Sequence, residues 1–233
     1  MDMRKNNDAV TVATKSKTGV KFGPGGRGEV ADEILEVAFD LFSKKDYSDV
    51  SMKEIAKQAG TSYSLVYYYY ANKEEIFHSS VQYAIIKAET TYKRYITKKL
   101  DPVELINRWL DINIKLSGPL KRLCKIMLEH SDRKAGSPPT VEKNIRYFYK
   151  FERGLLSNSI SQGVDAGLFK CSDPDELAAF ISTGIDGIYY GALTRPGFSI
   201  KKSIEILRRN IWVLLAYRGA LPTAGTATRS AKG

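Results

Sequence analysis

The feature that most constrains this chain is a pair of helix-start signals set close together in "SMKEIAKQAGTSYSLVYYYYANKEEIF", residues 51–77. Ser51 stands three positions before Glu54, the spacing of a capping box, in which the hydroxyl takes an orphan amide and the carboxylate reaches back. The pattern predicts a helix beginning at about Met52. Gly60 follows Ile55, Ala56 and Ala59, where a residue able to adopt positive φ closes that helix. Ser62 is then a second N-cap, one residue after a very short turn. Two short helices separated only by Gly60 and Thr61 have too little chain between them to run antiparallel, so they must cross steeply. The local pattern is a helix-turn-helix.

Around this motif the chain reads as helix throughout. Ile34, Leu35, Ala38, Phe39, Leu41 and Phe42 recur at helical spacing from Glu29 onward and predict an amphipathic helix that covers the two short ones. Asn72 caps a long helix from Lys73, carrying Ile76, Phe77, Val81, Ala84, Ile85, Ala88, Tyr92 and Tyr95 and ending near Leu100. "DPVE" at 101–104 and "DPDE" at 173–176 are matching starts, with Asp as cap, Pro at the first helical position and Glu at the third. "HSDRKAGSPPT" at 130–140 reads as a loop, and Ile145, Phe148, Phe151, Leu155, Ile160 and Val164 mark another long helix from Val141. No segment alternates with period two for long enough to make a strand. The fold class is all-α.

Composition then bounds the function. At 43% hydrophobic and 27% charged, 233 residues suffice for one or two domains with an apolar core. The cysteines, Cys124 and Cys171, lie far apart and give neither a disulfide framework nor a zinc spacing, which points to a reducing cytoplasm. The N-terminus has no apolar signal region, and "IWVLLAY" at 211–217 falls well short of the roughly 20 residues a membrane helix needs. The formal charge of +10 is unevenly placed. Residues 1–28 hold six basic against two acidic side chains, residues 29–77 hold five lysines against ten acids, and residues 78–233 hold 25 basic against 14 acidic. The helix-turn-helix is itself acidic, so net charge does not make the case for nucleic acid. Residues 1–28, ending in "GPGGRG", are too polar to pack and read as a disordered basic arm able to supply phosphate attraction.

Residues 29–77 resemble the DNA-binding domain of the tetracycline-repressor (TetR) family of bacterial regulators. The likeness rests on the amphipathic first helix and on Ile55-Ala56, Ala59-Gly60, Ser62, Val66-Tyr67 and Asn72-Lys73-Glu74-Glu75 in order. "SQGVDAGLFKCSDPDELAAF" at 161–180 resembles the family's junction before its last two helices. Leu65 departs from the small or hydroxylated residue usual in the family, and Tyr70 from the usual Phe. The resemblance implies a helix-turn-helix domain at 29–77, a ligand-binding and dimerisation domain at 78–219, and a disordered tail at 220–233.

Helical geometry assigns the tyrosines. Val66 and Tyr70 are four apart and should point into a three-helix core. Tyr63, Ser64 and Tyr67 share the face placed in the major groove, while Tyr68 and Tyr69 flank it and can donate a phenol hydrogen bond to phosphate. A tyrosine ring can touch a thymine methyl while its hydroxyl bonds a base edge. Ser62 and Lys53 belong to the same candidate interface, and Lys73 resembles the family's phosphate-binding lysine at the start of a helix. The partner is double-stranded DNA with a palindromic operator.

The remainder reads as sensor and dimer interface. Gly184, Gly187 and Gly191 lie inside an apolar helix, where each costs about 1 kcal/mol against Ala, so close helix approach is expected. By resemblance this helix and the last one form a four-helix interface in a homodimer, with Phe180, Gly184, Gly187, Ile188, Gly191, Leu207, Ile211, Trp212 and Leu215 as its contacts. Tyr92, Trp109, Met127, Tyr147, Phe148, Phe151 and Tyr189 lie on helices that line the family's pocket, although side chains of these types are ordinarily core. The effector is expected to be apolar or aromatic, with an anionic one suggested by the basic excess in this half. No cofactor or metal is implied. His78 and His130 are the histidines, neither in a metal spacing, and Cys124 with His130 lies off helical register, so an enzyme is not expected. A helical dimer that binds a small molecule or protein without DNA is the rival reading, supported by the acidic first helix.

Overall fold

Side-chain N-caps at Ser51, Ser62, Asp101, Asp173 and Ser199 decide where five of the described helices begin. The computed structural model describes residues 28–96, 100–131 and 139–219. The arm at 1–28 lies outside them apart from Gly28, as do the tail at 220–233 and most of the loop at 130–140. Nine α-helices and one short 3-10 turn make up the regular structure of the described residues, and no strand occurs among them. The chain divides within its fourth helix, between Lys87 and Ala88, ten residues beyond the boundary read at Phe77. That helix is continuous across the division, so the sequence holds no break there.

The first unit contains α1 (Glu29–Lys44), the 3-10 turn (Tyr47–Asp49), α2 (Met52–Gln58), α3 (Tyr63–Tyr69) and the start of α4 (Lys73–Tyr95). Ser51 Oγ accepts from the Glu54 amide at 3.1 Å and Ser62 Oγ from the Leu65 amide at 3.1 Å. The reciprocal half of the expected capping box is not made. The Glu54 carboxylate turns instead to Lys45 Nζ at 2.5 Å. Gly60, at φ +61°, closes α2 with paired bonds, Thr61 N to Ala56 O at 3.0 Å and Gly60 N to Lys57 O at 3.3 Å. These are the two hydrogen bonds of a Schellman stop. The α1 residues Ile34, Leu35, Ala38, Phe39, Leu41 and Phe42 are buried together with Ile55, Ala56, Val66, Tyr70, Ile76 and Phe77. At about 1.5–3 kcal/mol for each large apolar side chain removed from water, this core rather than helix propensity holds the short helices.

The second unit holds the rest of α4, which stops at Tyr95 rather than near Leu100, then α5 (Pro102–Lys115), α6 (Ser117–Ser131), α7 (Pro139–Asp165) from Lys143 onward, α8 (Pro174–Thr194) and α9 (Ile200–Leu214). Both "DP" starts behave as read. Asp101 Oδ1 accepts from Val103 N and Glu104 N at 2.8 and 2.9 Å, and Asp173 Oδ1 from Asp175 N and Glu176 N at 3.0 and 2.9 Å. Helix α8 packs on α6 and α9, and α9 also packs on α5. Arg208 ties α9 to α5, donating to Asn107 Oδ1 at 2.8 Å and pairing with Asp111 at 2.6 Å. In the junction at 161–180, the Phe169 ring lies over Gly163 where a Cβ would stand, between Trp212 and Tyr217. No helix among the described residues is long and apolar enough to cross a membrane.

Candidate nucleic-acid interface and sensing core

Helix α3 divides its side chains sharply. Val66 and Tyr70 are both 0% exposed, and the Tyr70 hydroxyl donates to Ala31 O of α1 at 3.3 Å, which satisfies the phenol inside the core. With that face anchored, Tyr63, Tyr67 and Tyr68 emerge at 50%, 42% and 64% exposure. The Tyr63 and Tyr67 rings meet edge to face, 4.6 Å between centroids, and the hydrogen bond that the Tyr67 hydroxyl donates to Tyr63 holds the Tyr67 phenol above its ordinary pKa. Tyr68 meets half-buried Tyr69 at 5.2 Å in a second edge contact. The product is a convex ridge of phenols with exposed Ser62 and Ser64 beside it. Its hydroxyls can donate and accept, and its rings give apolar area at little conformational cost.

The cations around this ridge are distributed unequally. Lys53 and Lys57 on α2 are exposed and form no ion pair among the described residues. Lys44 and Lys45 are paired with Asp40 and Glu54 at 2.6 and 2.5 Å. Lys73, expected on the phosphate, points elsewhere: its Nζ donates to Tyr47 O at 2.7 Å and Ser48 O at 3.1 Å and lies 4.4 Å from the Tyr47 ring centroid. An ammonium with three donors suits a pair of carbonyls at such a turn. Tyr47 is further held against Phe42 and Phe77. Asn72 Oδ1 accepts from Glu75 N at 2.8 Å, and Glu75 returns a bond from Ala71 N at 2.7 Å, fixing the α3–α4 corner.

The candidate sensing residues separate into two groups. Trp109, Tyr92, Tyr189 and Phe148 are buried, whereas Met127 and Phe151 are half-buried and Tyr147 is exposed. The buried aromatics converge on a residue sequence reading missed, Glu152 of α7. Its Oε1 accepts from Trp109 Nε1 at 3.1 Å and from the Tyr92 hydroxyl at 3.4 Å, and its Oε2 from Ser182 Oγ at 3.0 Å. Burial, reinforced by nearby Asp186, pushes Glu152 up to about 7 despite these three donors. Asp186, one helical turn beyond Ser182, is pushed up to about 6 by its own burial and accepts from Tyr149. The Tyr189 hydroxyl donates at 3.0 Å to Asn113. Cys124 is pushed up to about 11 by burial and then by Asp186, which leaves it a neutral thiol. No group of His, Cys, Asp and Glu that could hold a metal ion occurs among the described residues.

The expected dimer residues also divide. Ile211, Trp212 and Leu215 are buried within their own unit and Gly191 lies against Phe198. Gly184 receives Leu207 of α9 at ordinary van der Waals distance, and Ile188 is half-buried. Phe180 and the open face of Gly187 remain outward, joined by Tyr190, Ile206, Val213 and Leu214, which sequence reading did not select.

The fold and ridge define an all-helical protein with an N-terminal helix-turn-helix unit. Residues 34–79 match the model of the bacterial regulatory proteins of the tetR family. The match covers the helix-turn-helix unit, which is therefore similar to the DNA-binding domain of that family. It is 27% identical over 175 residues to the HTH-type transcriptional regulator YuxN of Bacillus subtilis (strain 168), covering 73% of this chain and 57% of that one. It is 24% identical over 181 residues to the HTH-type transcriptional regulator AcrR of Shigella flexneri, covering 75% and 83%. This chain therefore spans little more than half of YuxN. A transcriptional regulator from Saccharomonospora viridis, solved in complex with choline, shares its fold at a TM-score of 0.68 and 23% identity, over 79% of this chain and 95% of that one.

Proposed function

We propose that this chain is a sequence-specific DNA-binding transcriptional regulator of the cytoplasm, a homodimeric repressor released from a palindromic operator by a small-molecule effector. The observation that carries the reading is the outward phenol ridge of Tyr63, Tyr67 and Tyr68 on a helix whose Val66 and Tyr70 are fully buried. A reading helix must be rigid beneath and open above, and this one is both. In this reading Tyr63, Ser64 and Tyr67 meet base edges, while Ser62, Tyr68, Tyr69, Lys53 and Lys57 meet phosphate and sugar. Lys73 acts mainly by fixing the 3-10 turn behind the interface.

Two-fold pairing is supported by the exposed apolar strip of Phe180, Tyr190, Ile206, Val213 and Leu214 on α8 and α9, with Val213 77% exposed. Large apolar side chains left exposed on two packed helices are candidates for an interaction site. A dimer presents two α3 ridges about one DNA turn apart, on the order of 34 Å or a multiple. The effector lowers DNA affinity by its preference for a form whose ridges are wrongly spaced. The choline complex of the Saccharomonospora viridis protein supports a small-molecule site in this fold. Selection of binding sites from a randomised duplex pool tests the reading. Enrichment of an inverted repeat is expected. A pool that stays random while the protein remains folded and dimeric overturns it in favour of a helical binding module without DNA.

A further inference from the structure

A buried carboxylate is normally paired with a cation, because an isolated charge inside a protein is strongly disfavoured. Glu152 is 5% exposed and, among the described residues, has no Lys, Arg or His beside it. Its neighbours come from every helix around it: Tyr92 from α4, Trp109 from α5, Cys124 from α6, Tyr149 from α7, and Ser182, Asp186 and Tyr189 from α8. All are neutral donors or thiols except Asp186, a second carboxyl whose charge opposes the first. Asp186, Tyr149 and Cys124 are only half-buried, so the cluster grades from a closed floor at Glu152 and Trp109 to a rim that reaches solvent.

The hydrogen bonding of the floor narrows what completes it. The oxygens of Glu152 already accept from an indole, a phenol and a serine hydroxyl, so a further strong donor has little left to bond. What the site lacks is positive charge. A cation that brings charge and apolar surface but few N–H groups meets that lack, and aromatic walls favour the same ligand through the quadrupoles of their rings. We propose that the second unit takes an organic cation of the alkylammonium class, neutralised by Glu152 and Asp186 and flanked by Tyr92, Trp109, Tyr149 and Tyr189. This rests on the second unit being the sensing domain and names its effector class. It reverses the anionic effector suggested by the basic excess of the chain, since that charge lies elsewhere.

The probes are the tetramethyl- to tetrabutylammonium series, titrated into the full-length protein without DNA and followed by calorimetry and by tryptophan emission. 2-Methylpropan-2-ol, close in shape to tetramethylammonium but neutral, and butyrate are run beside them. At least one quaternary ion is expected to saturate, with neither control doing so. Glu152→Gln, which keeps the shape and one of the two acceptor oxygens, should weaken it by at least about thirtyfold, the loss typical of removing one partner of a buried charge pair. Asp186→Asn should weaken it less. Binding should also tighten as pH rises from 5.5 to 8, since proton and ligand compete for the same carboxylates. Saturation by the alcohol, full affinity in Glu152→Gln with unchanged melting, or no saturation by any member of the series each overturns the proposal. Operator binding is measured on the same samples. Intact operator binding without cation binding removes this inference alone, whereas cation binding that leaves operator affinity unchanged upholds the site and removes effector release.

Discussion

Replacing Tyr67 by Ala separates recognition from folding. The ring is 42% exposed, and among the described residues its one ring contact is the edge-to-face meeting with Tyr63 at 4.6 Å. Losing that contact costs about 0.5–1.5 kcal/mol, and the better helix propensity of Ala returns up to about 0.7 kcal/mol. The melting temperature should therefore shift little. A phenol on a base edge is worth about 1–3 kcal/mol of discrimination. Two-fold symmetry doubles this to about 2–6 kcal/mol, a loss of roughly thirtyfold to ten-thousandfold in operator affinity. Affinity for unrelated duplex should stay the same, because phosphate attraction supplies it. Fluorescence anisotropy with operator and scrambled duplexes at matched salt, beside thermal melts, reads both quantities. An unchanged ratio of specific to non-specific affinity would show that Tyr67 does not face the bases. A large drop in melting temperature would show instead that its ring supports the fold.

Three further outcomes follow from the same geometry. Lys73→Met should destabilise the first unit by about 1–3 kcal/mol through two orphaned carbonyls, leaving the dependence of log affinity on log salt unchanged; a slope smaller by about 1 per removed contact would restore Lys73 as a phosphate ligand. Gly163→Ala places a methyl inside the buried Phe169 ring, so chemical denaturation should show a loss of about 1–3 kcal/mol despite the helix-favouring Ala, and a gain in stability would refute the packing. Glu152 has its folded pKa raised to about 7 from an unfolded 4.5, so the folded state binds the extra proton between those values. Stability should fall by on the order of 3 kcal/mol as pH rises through that window. Glu152→Gln should flatten this profile, and melts at pH 5 and pH 8 check it.

The first unit was legible because its determinants are local. Caps at Ser51, Ser62 and Asn72, the stop at Gly60 and the helical spacing of α1 each act within a few residues. What local pattern missed was long-range. Lys73 reaches carbonyls 26 and 25 positions away, and nothing in "ANKEEIF" distinguishes a lysine that clamps a turn from one that meets phosphate. Glu152 is the sharper case. Its donors stand 60, 43 and 30 positions distant, so the cluster exists only once five helices have packed. One signal was nevertheless present. Phe148, Glu152, Leu156 and Ile160 follow at steps of four, which places a carboxylate on a stripe that is otherwise core. The expected dimer residues divide between buried and outward for a related reason: periodicity shows that α9 has excess apolar surface, but not which side of it the chain's own α5 and α8 take up.

The two halves of the molecule also differ in how they answer to protons. The α3 ridge carries no formal charge, and its Tyr67 phenol is held above its ordinary range by Tyr63, so base reading there is constant across neutral pH. The Glu152 and Asp186 carboxyls are raised to about 7 and about 6 and change charge within that range. A cation that settles between them displaces their protons, whereas one that met the ridge would displace none. A pH dependence of effector-induced release that Glu152→Gln abolishes therefore originates in the second unit, and its size measures how much of the effector's preference between the two forms is electrostatic.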